Sequence, residues 1–335
     1  MKKQHLAFVD HSFHIKTRSG DFLRNIFKEK YIINDYWVDK NLKFDKKIFD
    51  YDNIFFFQIL PPLKILKKLK FKNLIWAPMY DSPHHPIGFS PLLWKIAEYF
   101  NIKILSFSKK LSNQISKFNI NFLDLKYFIK PSKNEIKHIK KINILFWYRG
   151  DIDYDDWSKV LPKENIGKIT YFDTQSKNRL SNFKNYKLIR YIHKPFASRK
   201  YFKKLIMQSN VFICPRLKEG IGMANVEAIS LGKYLISNND ATMSEYIIND
   251  KIGIFYNNWK RKKLNIQNVI KFNSYRYSYA LKGYKTFQKN RIKIINFVQR
   301  EKYKDYNLNY YFFLLFIFRL YSLKRKLFII LNKFI

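Results

Sequence analysis

The chain has 335 residues, 47% of them hydrophobic and 19% aromatic; this excludes a disordered tail and, at about 150 residues per domain, allows two separate cores. Its 64 lysines and arginines stand against 25 aspartates and glutamates, a formal net charge of +39, which favours anionic partners such as nucleic acid, acidic lipid or phosphorylated substrates. The single cysteine, Cys214, excludes internal disulfides.

Part of the charge needs no binding role, because Lys, Asn, Ile, Phe and Tyr, which crowd the chain, all have A/T-rich codons. The start, MKKQHLAFVDHSF, has only a four-residue apolar run, too short for a signal peptide. No stretch reaches the roughly 18 apolar residues of a spanning helix. The nearest, Tyr310 to Phe318, ends at Arg319.

Short apolar runs alternate with helical patterns. LAFVDHSF reads as a first strand, followed by Ser19 as a helix N-cap and Asp21 in the first turn. NIFFFQIL (53–60), NLIWAPMY (73–80) and IKILSFS (102–108) read as buried strands, with a helix over Leu92 to Phe100. The lysine-rich stretch KPSKNEIKHIKK (130–141) reads as a linker. Strands then resume with NILFWYR, KITYFD, KLIRYI, VFIC and KYLIS, and a helix from about Arg199 to Ser209 precedes VFIC. Residues 275–303 read as one or two basic helices. The alternation predicts βαβ units in two parallel sheets: residues 1–135, 136–290 and, last, 291–335 as helices with a basic-aromatic tail.

The segment PRLKEGIGMANVEAISLGKYLIS (215–237) carries the chemistry. It reads as the loop, helix and strand after VFIC. In such sheets ligands bind beyond the carboxyl ends of the strands. Gly220 and Gly222 permit close backbone approach, the free amides at the helix start suit a phosphate, and Gly232 suits a left-handed helix end. From Ile221 to Leu231 the only charged side chain is Glu227. A buried carboxylate needs a partner: a ligand hydroxyl pair, a lysine or the helix dipole.

With Glu219 and Glu227 eight residues apart, E-G-I-G-M-x-x-x-E-A-x-x-x-G resembles the E-x7-E motif of retaining GT-B glycosyltransferases, most nearly glycosyltransferase family 4. NNDATMSEYIINDKIGIFY is similar to a downstream segment of that family. FVDHSFHIKTRSGDF and IWAPMYDSP look like acceptor-side loops of a bacterial surface-polysaccharide subgroup. The resemblance implies two Rossmann-like domains facing across a cleft, with no essential metal or cofactor. It implies a hexosyl transfer with retention from a UDP- or GDP-sugar to a glycan or lipid-linked acceptor. Glu227 would hold the ribose diol, Glu219 the sugar hydroxyls, and Gly220, Ile221, Gly222 and Met223 would line the sugar and diphosphate. Arg149 matches the family's diphosphate-binding Arg, but Asp155 stands where its Lys is common, with Lys159 or Lys194 as out-of-register substitutes.

Asp81 and His84, after NLIWAPMY, are candidates for acceptor contact or proton handling. His11, His14 and Lys16, after the first strand, are candidates for donor-phosphate or acceptor contact. The triplet Asp151-Ile152-Asp153 has the D-x-D pattern of metal-binding transferases but reads as surface. Residues 309–335 read as an amphipathic helix on an anionic membrane surface, with packing on the core as the alternative. The expected location is cytoplasmic, peripheral on the inner face of the membrane. Two rivals remain: a non-catalytic GT-B-like subunit, and a basic nucleic-acid-binding protein, for which no recognition signature is present.

Overall fold

The computed structural model describes residues 3–39, 43–80, 90–132, 141–162, 164–174, 189–193, 198–214, 216–239, 242–257, 263–299 and 307–331. They cluster into two units: Met1–Leu125 with Lys289–Ile335, and Lys126–Gln288.

The first unit is built on β1 (Gln4–His11), α1 (His14–Thr17), α2 (Asp21–Phe27), β2 (Tyr31–Val38), β3 (Asn53–Phe57), α3 (Leu63–Lys68), β4 (Asn73–Ala77), α4 (Pro91–Tyr99), β5 (Lys103–Ser106), α5 (Lys109–Ile115) and β6 (Phe122–Asp124). Its six strands are parallel in the order β2-β1-β3-β4-β5-β6. The NIFFF strand is buried along its whole length, as a central parallel strand covered by helices on both faces requires. β2, absent from the sequence reading, is an edge strand. Its YIINDYWV mixes exposed and buried positions and offers no apolar run. Ser19 does not cap α2: Gly20 occupies the N-cap, and the Ser19 hydroxyl bonds Thr17 Oγ1 at 2.9 Å.

The second unit carries β7 (Ile142–Tyr148), α6 (Tyr154–Trp157), β8 (Ile166–Asp173), β9 (Ile189–His193), α7 (Arg199–Met207), β10 (Val211–Ile213), α8 (Met223–Ser230), β11 (Tyr234–Ser237), β12 (Gly253–Phe255), α9 (Ile266–Lys271) and α10 (Asn273–Gln299). Its parallel order is β12-β11-β10-β7-β8-β9. Leu231 caps the end of α8, and Gly232 follows at φ +71°, the left-handed closure expected there. Buried Arg276 of α10 ties this corner together. Its guanidinium donates to the carbonyls of Gly232 (2.6 Å), Lys251 (2.9 Å) and Asn268 (3.2 Å), and also to that of Val269.

Over 275–299 the region read as one or two basic helices is the single helix α10, which passes from Gln288 of the second unit to Lys289 of the first, and 300–303 lie outside the described residues. Within the first unit, Lys103 Nζ donates to the Phe297 and Val298 carbonyls at 3.0 and 2.9 Å, and Asn73 Nδ2 to Val298 at 2.7 Å. These donors satisfy carbonyls that a helix end leaves open. The last element among the described residues is α11 (Leu308–Leu331), which buries Tyr311 and Leu314 in the core of the first unit.

Candidate active site

In the second unit the strand order reverses between β7 and β10. Loops leaving neighbouring strands at such a reversal diverge and open a crevice at their carboxyl ends. Arg149 follows β7, and Glu219 lies in the loop after β10. Arg149 Nη1 donates to Glu219 Oε1 at 2.9 Å, with the side chains 25% and 12% exposed. The same two loops exchange a second pair of opposite sense, Arg216 Nε to Asp151 Oδ2 at 3.0 Å. The Arg149 guanidinium lies 4.8 Å from the Trp147 ring. Trp147 is itself fixed by Thr174 (3.0 Å) and Phe202 (4.7 Å between centroids).

The helix after Glu219 starts from Gly222, at φ +67°. A β-carbon there would approach Met243 Cγ to 2.8 Å, so both conformation and space call for glycine. Asn225, Val226 and Ala228 are buried on α8. Buried Cys214, after β10, donates its thiol to Asn225 Oδ1 at 2.8 Å, and burial pushes the Cys214 pKa up.

Glu227 is 8% exposed on the same helix. It is not bare: Arg199, the first residue of α7, donates from Nε to Oε1 at 2.6 Å, and Nη2 also reaches Oε1. Tyr127 senses this pair. Its pKa is pushed up to about 12 by burial, lowered by Arg199 and raised by Glu227. The sequence reading missed Arg199 and Tyr127 as site residues. For Arg199 the available signal was its position as the first residue of a helix preceding VFIC.

The first unit has its own reversal, between β1 and β3. Asp10, fully buried near the end of β1, accepts from Arg24 Nη2 at 3.0 Å and lies 2.6 Å from His14 Nδ1. Because a carboxylate only accepts, Nδ1 carries the proton in this bond. Arg24 also bonds Asp35 (2.7 Å) and stacks 3.9 Å over Phe8. His14 packs on Phe57 at the end of β3, with centroids 5.4 Å apart. Burial, then the His14 charge, push the His11 pKa below its ordinary value. Lys16 is exposed on α1.

The structure thus brings Arg149 to Glu219 and places Gly220, Ile221, Gly222 and Met223 at the start of α8, with Glu227 midway along it. His11, His14 and Lys16 form a separate group in the first unit. Asp81, His84 and Lys194 lie outside the described residues. Asp153 caps α6 and accepts from the Tyr171 hydroxyl at 2.8 Å, while Asp155 is exposed in the first turn of α6. Lys159 is exposed on the 3-10 turn that follows.

Comparison with known proteins agrees with this architecture. The profile of glycosyl transferases group 1 matches residues 167–286, the stretch that contains Glu219 and Glu227. No curated protein sequence matches the chain. Solved structures of similar fold include TarM of S. aureus, in complex with Fondaparinux, alpha-GlcNAc-glycerol and UDP. It is 12% identical, with a TM-score of 0.54, over 74% of this chain and 55% of that one. This chain therefore spans little more than half the length of TarM. T4 phage β-glucosyltransferase with UDP and Mn2+ is 13% identical (TM-score 0.51) over 89% and 100% of the two chains. Anabaena HepE with UDP is 10% identical (TM-score 0.53) over 88% and 98%. The two parallel six-stranded sheets with their helices thus have the α/β, GT-B-type fold that the sequence implied.

Proposed function

We propose that the protein transfers a sugar, as a hexosyl group and with retention, from a UDP- or GDP-sugar to a glycan or lipid-linked acceptor of cell-surface polysaccharide. The observation that carries this reading is the constellation at the β7/β10 reversal: two carboxylates eight residues apart, Glu219 before α8 and Glu227 within it, each facing an arginine. Three neighbours of the same fold were solved with UDP, which supports the donor class.

In this reading Glu227 accepts two hydroxyl hydrogen bonds from the nucleotide ribose. Glu219 takes hydroxyls of the transferred sugar. The α8 amides and Arg149 meet the diphosphate and stabilise its charge as the sugar–phosphate bond breaks. The acceptor oxygen forms the new glycosidic bond; Asp81 and His84 are the candidates to take its proton, and His11, His14 and Lys16 the candidates to contact the donor phosphate or the acceptor. Transfer needs no metal. The working location is cytoplasmic, at the inner face of the membrane.

A panel of UDP-, GDP-, ADP- and CMP-sugars, with and without EDTA, tests this by mass spectrometry of released nucleotide. Release from one donor, surviving EDTA and abolished by Glu219→Ala, is expected. Asp155, in place of a common Lys, favours a second reading as a non-catalytic subunit. That reading predicts thermal stabilisation by a donor without any release, even with candidate acceptors present.

A further inference from the structure

Helix α11 is apolar on two faces. One enters the core of the first unit through Tyr311 and Leu314, 4% and 0% exposed. On the other, Phe312, Phe313, Phe316, Leu320 and Leu323 are 58%, 54%, 59%, 48% and 56% exposed. Steps of three and four residues place these five on a single stripe. The helix has 24 residues, about 36 Å at the rise of an α-helix. No helix among the described residues is long and apolar enough to cross a membrane.

The sequence of the tail carries charge of one sign. From Leu308 to Ile335 there is no aspartate or glutamate, while Arg319, Lys324, Arg325, Lys326 and Lys333 all fall within it. Arg319 is exposed, three residues beyond Phe316.

We propose that this stripe docks the protein on an anionic lipid bilayer, with α11 lying in the headgroup layer. The exposed aromatic and leucine side chains enter the acyl boundary, and the cations meet lipid phosphates. The charge argues for lipid over a second copy of the chain, because pairing two such stripes would bring cations onto cations in a protein already at +39. Because Tyr311 and Leu314 are seated in the core, the helix is a fixed part of the first unit and not a tether. Docking therefore sets the orientation of that unit on the membrane. The inference stands independently of the transferase reaction, since adsorption to lipid requires no donor.

The test is co-flotation of the full chain with phosphatidylcholine vesicles, with and without about a third phosphatidylglycerol, at low and high salt. The comparison variant carries Phe312→Ser, Phe316→Ser and Leu320→Ser. All three positions are exposed, so the variant should keep the wild-type melting temperature. The wild type should float with the anionic vesicles, less so at high salt, and partitioning should fall by at least about tenfold in the variant. Undiminished flotation of the variant, or failure of the wild type to float, overturns the proposal. So does a lipid-free dimer that the variant abolishes, which would reassign the stripe to self-association.

Discussion

Arg149 and Glu219 are 70 residues apart in sequence and 2.9 Å apart in space. Asp151 and Arg216 cross the same gap with the charges exchanged, 65 residues apart in sequence. The two loops at the strand reversal are therefore held in register by reciprocal ion pairs, and only the Arg149 pair adjoins the glycines at the start of α8. Arg149→Ala is expected to lower kcat for donor turnover by about 10²–10³, the scale for loss of a fixed donor at a developing negative charge. Arg216→Ala should cost less than about tenfold, because its pair with Asp151 is partly solvated. Steady-state nucleotide-release kinetics of the two variants check this.

Glu227 and Arg199 differ in burial: their side chains are 10% and 53% exposed. Removing the arginine strands a buried carboxylate, whereas removing the glutamate leaves an arginine that water already reaches. Arg199→Ala should lower unfolding free energy by about 1–3 kcal/mol, and Glu227→Ala by less than about 1 kcal/mol. Urea denaturation compares them. Equal losses would show that the exposed arginine is not what stabilises Glu227.

A different kind of buried charge holds the first unit. Asp10 is fully buried and Arg24 3% exposed, between Phe8 and Trp37. Arg24→Met should cost about 3–5 kcal/mol, because it leaves Asp10 without its guanidinium. Asp35→Asn, at the 38% exposed end of the same network, should cost less than about 1 kcal/mol. Chemical denaturation midpoints distinguish the two.

Alkaline pH should unfold the second unit early. Burial, the largest cause in each case, pushes the phenols of Tyr127, Tyr256 and Tyr279 up to about 12. The unfolded chain gives up these protons near the ordinary value of about 10, before the folded one does. Their contribution is therefore complete below about pH 10 and lost as pH rises towards about 12. Melting temperatures across this window should fall, and the fall should be shallower in Tyr127→Phe.

Lys233 has the opposite sign. Burial, then Arg276, lower its pKa to about 8, while the unfolded chain keeps the proton up to about 10.4. This lysine is thus a burden at neutral pH that eases as pH rises through about 8. Lys233→Met should raise the melting temperature at pH 7, with the gain shrinking by about pH 9; scanning calorimetry at the two pH values reads it.

The parts legible in the sequence were those where a strand is buried on both faces. NIFFF and VFIC announced themselves as unbroken apolar runs, and the alternation of such runs gave the two parallel sheets. β2 and β6 were not legible. Both are edge strands with exposed or polar positions, and the three residues of β6 are too few to show a period. At the site, Glu219, Glu227 and the glycines could be read because their spacing is local. Their arginines were less accessible: Arg149 was marked only by the resemblance, and Arg199 lies 28 residues from its partner. The tail was legible in chemistry but not in packing: the apolar-basic pattern was plain, whereas burial of Tyr311 and Leu314 depends on tertiary contacts.

The most direct test of the central claim, that Glu227 on α8 holds the donor nucleotide, is calorimetric titration of UDP and of GDP into the wild type and Glu227→Ala. The account predicts that one nucleotide binds the wild type and binds the variant at least about tenfold more weakly, with the variant still folded and less stable by under about 1 kcal/mol. Equal affinity for the two proteins would contradict it.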